Sequence, residues 1–239
     1  MTWMMLAMIL LTSALQAQEK CPVEVKLLLS PEGTSIAITS LKMRKETVGE
    51  VYFFDTDSLE LLSKGVIVRL RRGSNNDLTV KIRPPENQKL LDPSRRRNDL
   101  KCEVDMSGGQ GNLSYSIQTP YSGSLAPDTG RDILSYLSDA QKELLKEAQV
   151  SVNWTRVKRI ASIKSTDWDA RGGGHFDKLT LELWEWPEGS VLELSTKVGP
   201  NEGSSAYARL LRLANDSNLP VGANQRPKTN MVLEKLSHH

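Results

Sequence analysis

Apolar and polar residues alternate with a period of two along most of this chain. That spacing marks half-buried β-strands, because successive side chains in a strand point to opposite faces. Arg69 and Arg71 fall opposite Val66, Val68 and Leu70, and Lys81 and Arg83 fall opposite Leu78, Val80 and Ile82. Glu24 and Lys26 oppose Val23 and Val25, and Lys101, Glu103 and Asp105 oppose Cys102 and Val104. Arg156 and Lys158 share a face, Thr180 and Glu182 oppose three leucines, and Glu193, Ser195 and Lys197 oppose Leu192 and Leu194. Strands are expected at residues 22–29, 50–54, 66–72, 78–83, 101–106, 152–164, 179–186 and 191–197. The two flanking the turn at 73–77 form a hairpin.

Helices are expected at 59–64, closed by Gly65, and at 131–149, 204–215 and 228–236, while 35–48 fits a short helix or a strand pair. Residues 84–98, with Arg95, Arg96 and Arg97, and residues 107–129, rich in Gly, Ser and Pro, read as surface loops. Many antiparallel strands with a few interposed helices predict an α+β closed barrel.

Composition narrows the possible functions. The 239 residues are 38% apolar and 25% charged, enough for one well-filled core. A net charge of +2 gives no whole-protein attraction to nucleic acid, so an anion site has to come from clustering of the 31 Lys and Arg. The apolar run over 3–15, followed by small residues up to Ala17, reads as a signal peptide over 1–17. It is too short to span a membrane, so the expected product is a secreted or periplasmic domain over 21–236. In an oxidising compartment the two cysteines, Cys21 and Cys102, are expected to form one disulfide on the outer, apolar side. His175, His238 and His239 do not cluster with them, which argues against zinc, and no Ser/His/Cys triad is visible. Trp168, Trp184 and Trp186 read as packing residues, and Asn153-Trp-Thr, within an expected strand, is a glycosylation sequon only in a eukaryotic source.

Each charged strand face alone fits a sheet wetted on one side. Together, consecutive faces of Arg, Lys and Glu with few small polar residues fit a charged barrel interior better. Such an interior must be paired internally or hold an ion of opposite sign.

The stretch Val51-Tyr-Phe-Phe-Asp-Thr-Asp-Ser-Leu-Glu-Leu-Leu-Ser-Lys-Gly-Val-Ile-Val-Arg-Leu-Arg-Arg72 resembles the CYTH, or triphosphate tunnel, superfamily. Leu78-Thr-Val-Lys-Ile-Arg83, Lys101-Cys-Glu-Val-Asp105, Arg156-Val-Lys158, Val191-Leu-Glu-Leu-Ser195 and Pro227-Lys228-Thr-Asn resemble later family segments in the same order. The resemblance implies an eight-stranded antiparallel closed barrel with flanking helices, enclosing a tunnel. It implies phosphate contacts from Arg69, Arg71, Lys81, Arg83, Arg156, Lys158 and Lys197. It implies a Mg²⁺ or Mn²⁺ site among Glu24, Glu103, Asp105, Glu182 and Glu193, with Glu24, Lys26 and Glu103 in catalysis.

Members of this superfamily include inorganic and thiamine triphosphatases and a class of adenylyl cyclases. The implied function is metal-dependent hydrolysis of inorganic tripolyphosphate or another triphosphate. The alternative is a catalytically weak barrel that binds polyphosphate or another polyanion; adenylyl cyclase ranks third, because nucleoside triphosphates are scarce outside cells. Three departures bear on the metal more than on the phosphate: Pro22 and Ser195 stand where the family pattern has glutamates, and Trp184 where it often has aspartate.

Overall fold

The computed structural model describes residues 21–73, 75–84, 99–123, 126–172 and 176–236. The expected signal segment, Arg95 to Arg97, and the three histidines lie outside these residues. Nine strands close into one barrel: β1 (Val23–Leu29), β2 (Arg44–Asp55), β3 (Val66–Gly73), β4 (Asp77–Ile82), β5 (Leu100–Ser107), β6 (Gln110–Pro120), β7 (Lys158–Gly172), β8 (Phe176–Trp186) and β9 (Gly189–Val198). Their order around the barrel is β1-β5-β6-β4-β3-β2-β7-β8-β9.

The count and the pairing correct the expected eight antiparallel strands. An odd number of strands cannot alternate in direction around a closed ring, so one neighbouring pair must run parallel. That pair is β1 and β5, in register from Val23↔Val104 to Lys26↔Ser107. β1 pairs antiparallel with β9 on its other side.

The strand missing from the expectation is β6, in the stretch read as loop. Gly108 and Gly109, with φ of 59° and 79°, make a two-residue hairpin turn after β5. Positive φ at both central residues is the turn whose twist matches the flanking strands, and glycine adopts it without strain. β2 also starts earlier than expected, after a helix α1 (Thr34–Ser40) that resolves the open region. β7 starts later, so Arg156, Asn153 and the sequon lie in the preceding irregular and turn segment, not in a strand.

The outer face is apolar and helix-covered. On one side Ala206, Leu210 and Ala214 of α5 (Gly203–Asp216) pack with Val23, Val25 and Leu27 of β1. On the other, Leu61 of α2 (Glu60–Ser63), Ile133 of α3 (Gly130–Tyr136) and Leu144 of α4 (Asp139–Glu147) cover Val66, Val68, Leu78 and Val80. The helix expected over 131–149 divides into α3 and α4 because Ser138 and Gln141 form a capping box. Asp55 holds α2 by accepting hydrogen bonds from Thr56, Leu61 and Leu62 backbone N–H groups at 2.7–2.8 Å.

Inside, the rows change character along the barrel. Leu28, Phe53, Ile67, Ile163, Trp184 and Val191 form an apolar layer at one end, sealed by Val232 and Leu233 of α6 (Lys228–Leu236). Residues two or more positions further along the same rows are charged or polar: Lys26 and Glu24, Arg69 and Arg71, Ser165 and Asp167, Glu182, Glu193. The barrel therefore has an apolar floor under a charged chamber.

Cys21 and Cys102 form the expected disulfide, with Cα atoms 5.5 Å apart and a sequence separation of 81. It lies beside the parallel β1–β5 pair that closes the barrel. Replacing both cysteines by serine should lower unfolding free energy by about 2–5 kcal/mol, read by urea unfolding. An unchanged midpoint would mean the crosslink adds nothing to barrel closure.

Candidate functional site

The chamber is a cavity of about 650 Å³. All nine strands lend it residues. Of the residues the sequence nominated, it brings together Glu24, Lys26, Arg69, Arg71, Lys81 and Arg83, and also Glu103, Asp105, Glu182, Glu193 and Lys197. Phe53, Ile67 and Trp184 form its floor.

Asp105 is the electrostatic centre. It is 2% exposed and faces three cations: Lys81 at 2.5 Å, Lys26 at 2.7 Å and Arg83 at 3.4 Å. Ser114 donates to the same carboxylate. Burial alone would raise the pKa of Asp105, but Lys26, Lys81 and Arg83 outweigh it and hold the group far below the usual carboxylate range. Glu24 behaves alike: burial opposes ionisation, yet Lys26 at 2.8 Å and Lys197 bring it down to about 2. Burial would lower Lys26, but Glu24, Asp105 and Glu193 outweigh it and raise the group above its ordinary value. At the mouth, Lys197 donates to Glu103 at 2.6 Å.

A second group sits on the floor around Lys228, at the start of α6. Its ammonium pairs with Glu182 and, at 3.0 Å, with Glu193, and it lies 4.3 Å from the Trp184 ring centre. Glu182 is further held by Ser165 at 3.1 Å and the Trp184 indole N–H at 2.6 Å. Burial lowers Lys228 well below the usual lysine range, and Lys26 adds to this. Burial also raises Glu193 to about 7. One desolvation acts on both members of the pair, and Glu193 Oε2 is buried without a hydrogen-bond partner.

Arg69 is the exception to internal pairing. Its Nε is buried with no hydrogen-bond partner, and no salt bridge is formed by its guanidinium among the described residues. Burial, then the neighbouring Arg71, depress its pKa to about 10. Arg71 itself is held by Asp77 at 2.8 Å. The chamber thus carries a half-buried guanidinium with an unpartnered, buried Nε at its open volume, which is the chemistry of an oxyanion receptor.

Two nominated residues are elsewhere. Arg156, its side chain 60% exposed, pairs with Glu60, and Lys158, 53% exposed, pairs with Asp57. Both lie outside the cavity lining, because Arg156 precedes β7 and both residues face the α2 corner. Of the five nominated metal ligands, Glu24, Glu103 and Asp105 place carboxylate oxygens within 4.8 Å of one another, while Glu182 and Glu193 surround Lys228 instead.

No protein-family model and no curated protein matches the chain. Solved structures do. HpAC1 from Hippeastrum, an adenylyl cyclase candidate described as revealing a dominant triphosphatase activity, aligns with a TM-score of 0.61 at 15% identity, covering 90% of this chain and 99% of its own. An adenylate cyclase candidate of Bacillus halodurans aligns with a TM-score of 0.60 at 13% identity, covering 88% and 97%. The chain shares the fold of these two structures.

The barrel also recruits residues the sequence reading did not assign to the site. Asp167 and Asp169 line the cavity from β7, and Lys178 and Thr180 from β8. The alternation Ser165, Asp167, Asp169 against Thr166, Trp168, Ala170 carries that signal, but the strand was expected to stop at 164. Lys228 reaches the chamber from a helix, where strand alternation gives no warning.

An unpaired buried charge should cost the fold stability that function retains. Arg69→Met is expected to raise unfolding free energy by about 1–3 kcal/mol while weakening anion binding. Lower stability in Arg69→Met, read by urea unfolding, would show that the guanidinium is already satisfied by the protein.

Proposed function

We propose that the protein binds inorganic tripolyphosphate or a related triphosphate in its chamber and hydrolyses it with a divalent cation. The observation that carries this reading is Arg69, a half-buried guanidinium with a buried, unpartnered Nε, in a cavity ringed by Arg71, Lys81, Lys26 and Arg83. A linear triphosphate carries about four to five negative charges, and charge-assisted hydrogen bonds from Arg and Lys suit its oxygens. The triphosphatase activity described for the structurally similar Hippeastrum protein supports the same substrate class.

The carboxylates fit a hard cation. Oxygens of Glu24, Glu103 and Asp105 within 4.8 Å of one another can all reach one ion at the usual 2.0–2.6 Å. When bound, Mg²⁺ or Mn²⁺ would neutralise phosphate charge and polarise the attacking water. Arg69 and Arg71 would hold the chain at the β3 wall, with Lys81 beside them on β4 and Arg83 just after that strand. The apolar floor of Phe53, Ile67 and Trp184 excludes water from that end, which strengthens each of these contacts.

A second reading, a polyanion binder without turnover, is favoured by one observation. Pro22 and Ser195 both line the cavity, so the two carboxylates missing from the family pattern are missing inside the chamber itself. For its location we propose export, because Cys21 and Cys102 are joined and structural disulfides persist in oxidising compartments.

Phosphate release from tripolyphosphate decides between the readings. Hydrolysis is expected with Mg²⁺ or Mn²⁺ and not in EDTA, and Glu103→Ala should lose it by a factor of at least about 100 while retaining metal-free binding. Binding without release under any divalent metal would leave the binder.

A further inference from the structure

The carboxylates that suit a metal are not waiting for one. The Lys26 ammonium lies between Glu24 and Asp105, at 2.8 and 2.7 Å, in the position an ion shared by those two carboxylates would take. Lys81 holds the other Asp105 oxygen at 2.5 Å, and Lys197 holds Glu103 at 2.6 Å. With Arg83 also on Asp105, four cations face three carboxylates, leaving one positive charge in excess.

A divalent ion entering alone would displace bonded ammonium groups into a cavity that is already positive. Opposition between like charges in a desolvated site is strong. A polyanion reverses both terms. Its oxygens offer Lys26, Lys81 and Arg83 new partners next to Arg69, and its charge turns the chamber negative. The carboxylates are then released to a metal.

Resting on the polyanion-binding reading above, we infer that Lys26 is the resident counter-ion of the Glu24–Glu103–Asp105 cluster and that the divalent cation binds only with, or after, the polyanion. Coupling of this kind is reciprocal: the metal tightens the polyanion by the factor by which the polyanion tightens the metal. Lys26 acts here as a positioning residue that governs the order of binding. Pro22 and Ser195, by removing two acids, shift the balance of charge further toward the lysine.

Mn²⁺ titration followed by electron paramagnetic resonance, with no phosphate present, tests this directly. The wild type should bind Mn²⁺ weakly, Lys26→Met at least about tenfold more tightly, and the charge-conserving Lys26→Arg no better than the wild type. Tight Mn²⁺ binding by the wild type alone overturns the inference, and needs no variant to fold. So does a folded Lys26→Met that binds no better. Calorimetry of tripolyphosphate into wild type in EDTA reads the underlying polyanion reading separately. If that binding is absent while Lys26→Met still gains Mn²⁺, the lysine's role stands and the choice of polyanion fails.

Discussion

Asp105, buried against Lys26, Lys81 and Arg83, is the contact on which the chamber depends. Each of these groups costs several kcal/mol to take out of water, and only their mutual attraction and hydrogen bonds offset that. Removing the carboxylate would leave three cations facing one another around Arg69. Its place on β5, opposite Glu24 of β1 across the parallel pair, ties the electrostatic centre to the seam that closes the barrel.

That seam explains several features together. Nine strands force one parallel pair, and the pair is short, in register over four residues. The Cys21–Cys102 disulfide lies on its outer side, and Lys26 crosses it on the inner side by bonding Asp105. A covalent link outside and an ionic one inside therefore hold the same two strands. α6 completes the enclosure by burying Val232 and Leu233 on the apolar floor and by bringing Lys228 to Glu182 and Glu193.

Much of this was legible in the sequence. A period of two separated the charged rows of β1, β3, β4, β5, β8 and β9 from their apolar backs, and so identified eleven of the nominated side chains found in the cavity. It failed where chemistry hides the period. β6 carries Ser114, Ser116 and Gln118 inward, in a stretch whose glycines and serines look like loop. Arg156 and Lys158 match a basic strand pair, but the chain turns before Lys158 and both pair with acids near α2. The cavity floor was not read either: Ile67 shares the row of Arg69 by the same period of two, but nothing in the sequence shows that an apolar end of a charged row closes the chamber.

The central claim is that the folded chamber carries positive charge awaiting a polyanion. Thermal unfolding in EDTA with increasing tripolyphosphate tests it most directly, since a ligand that binds only the folded state raises the midpoint with the logarithm of its concentration. The midpoint should climb steadily well beyond the shift given by orthophosphate at equal ionic strength. A midpoint that does not move, or moves only as orthophosphate moves it, would contradict the claim.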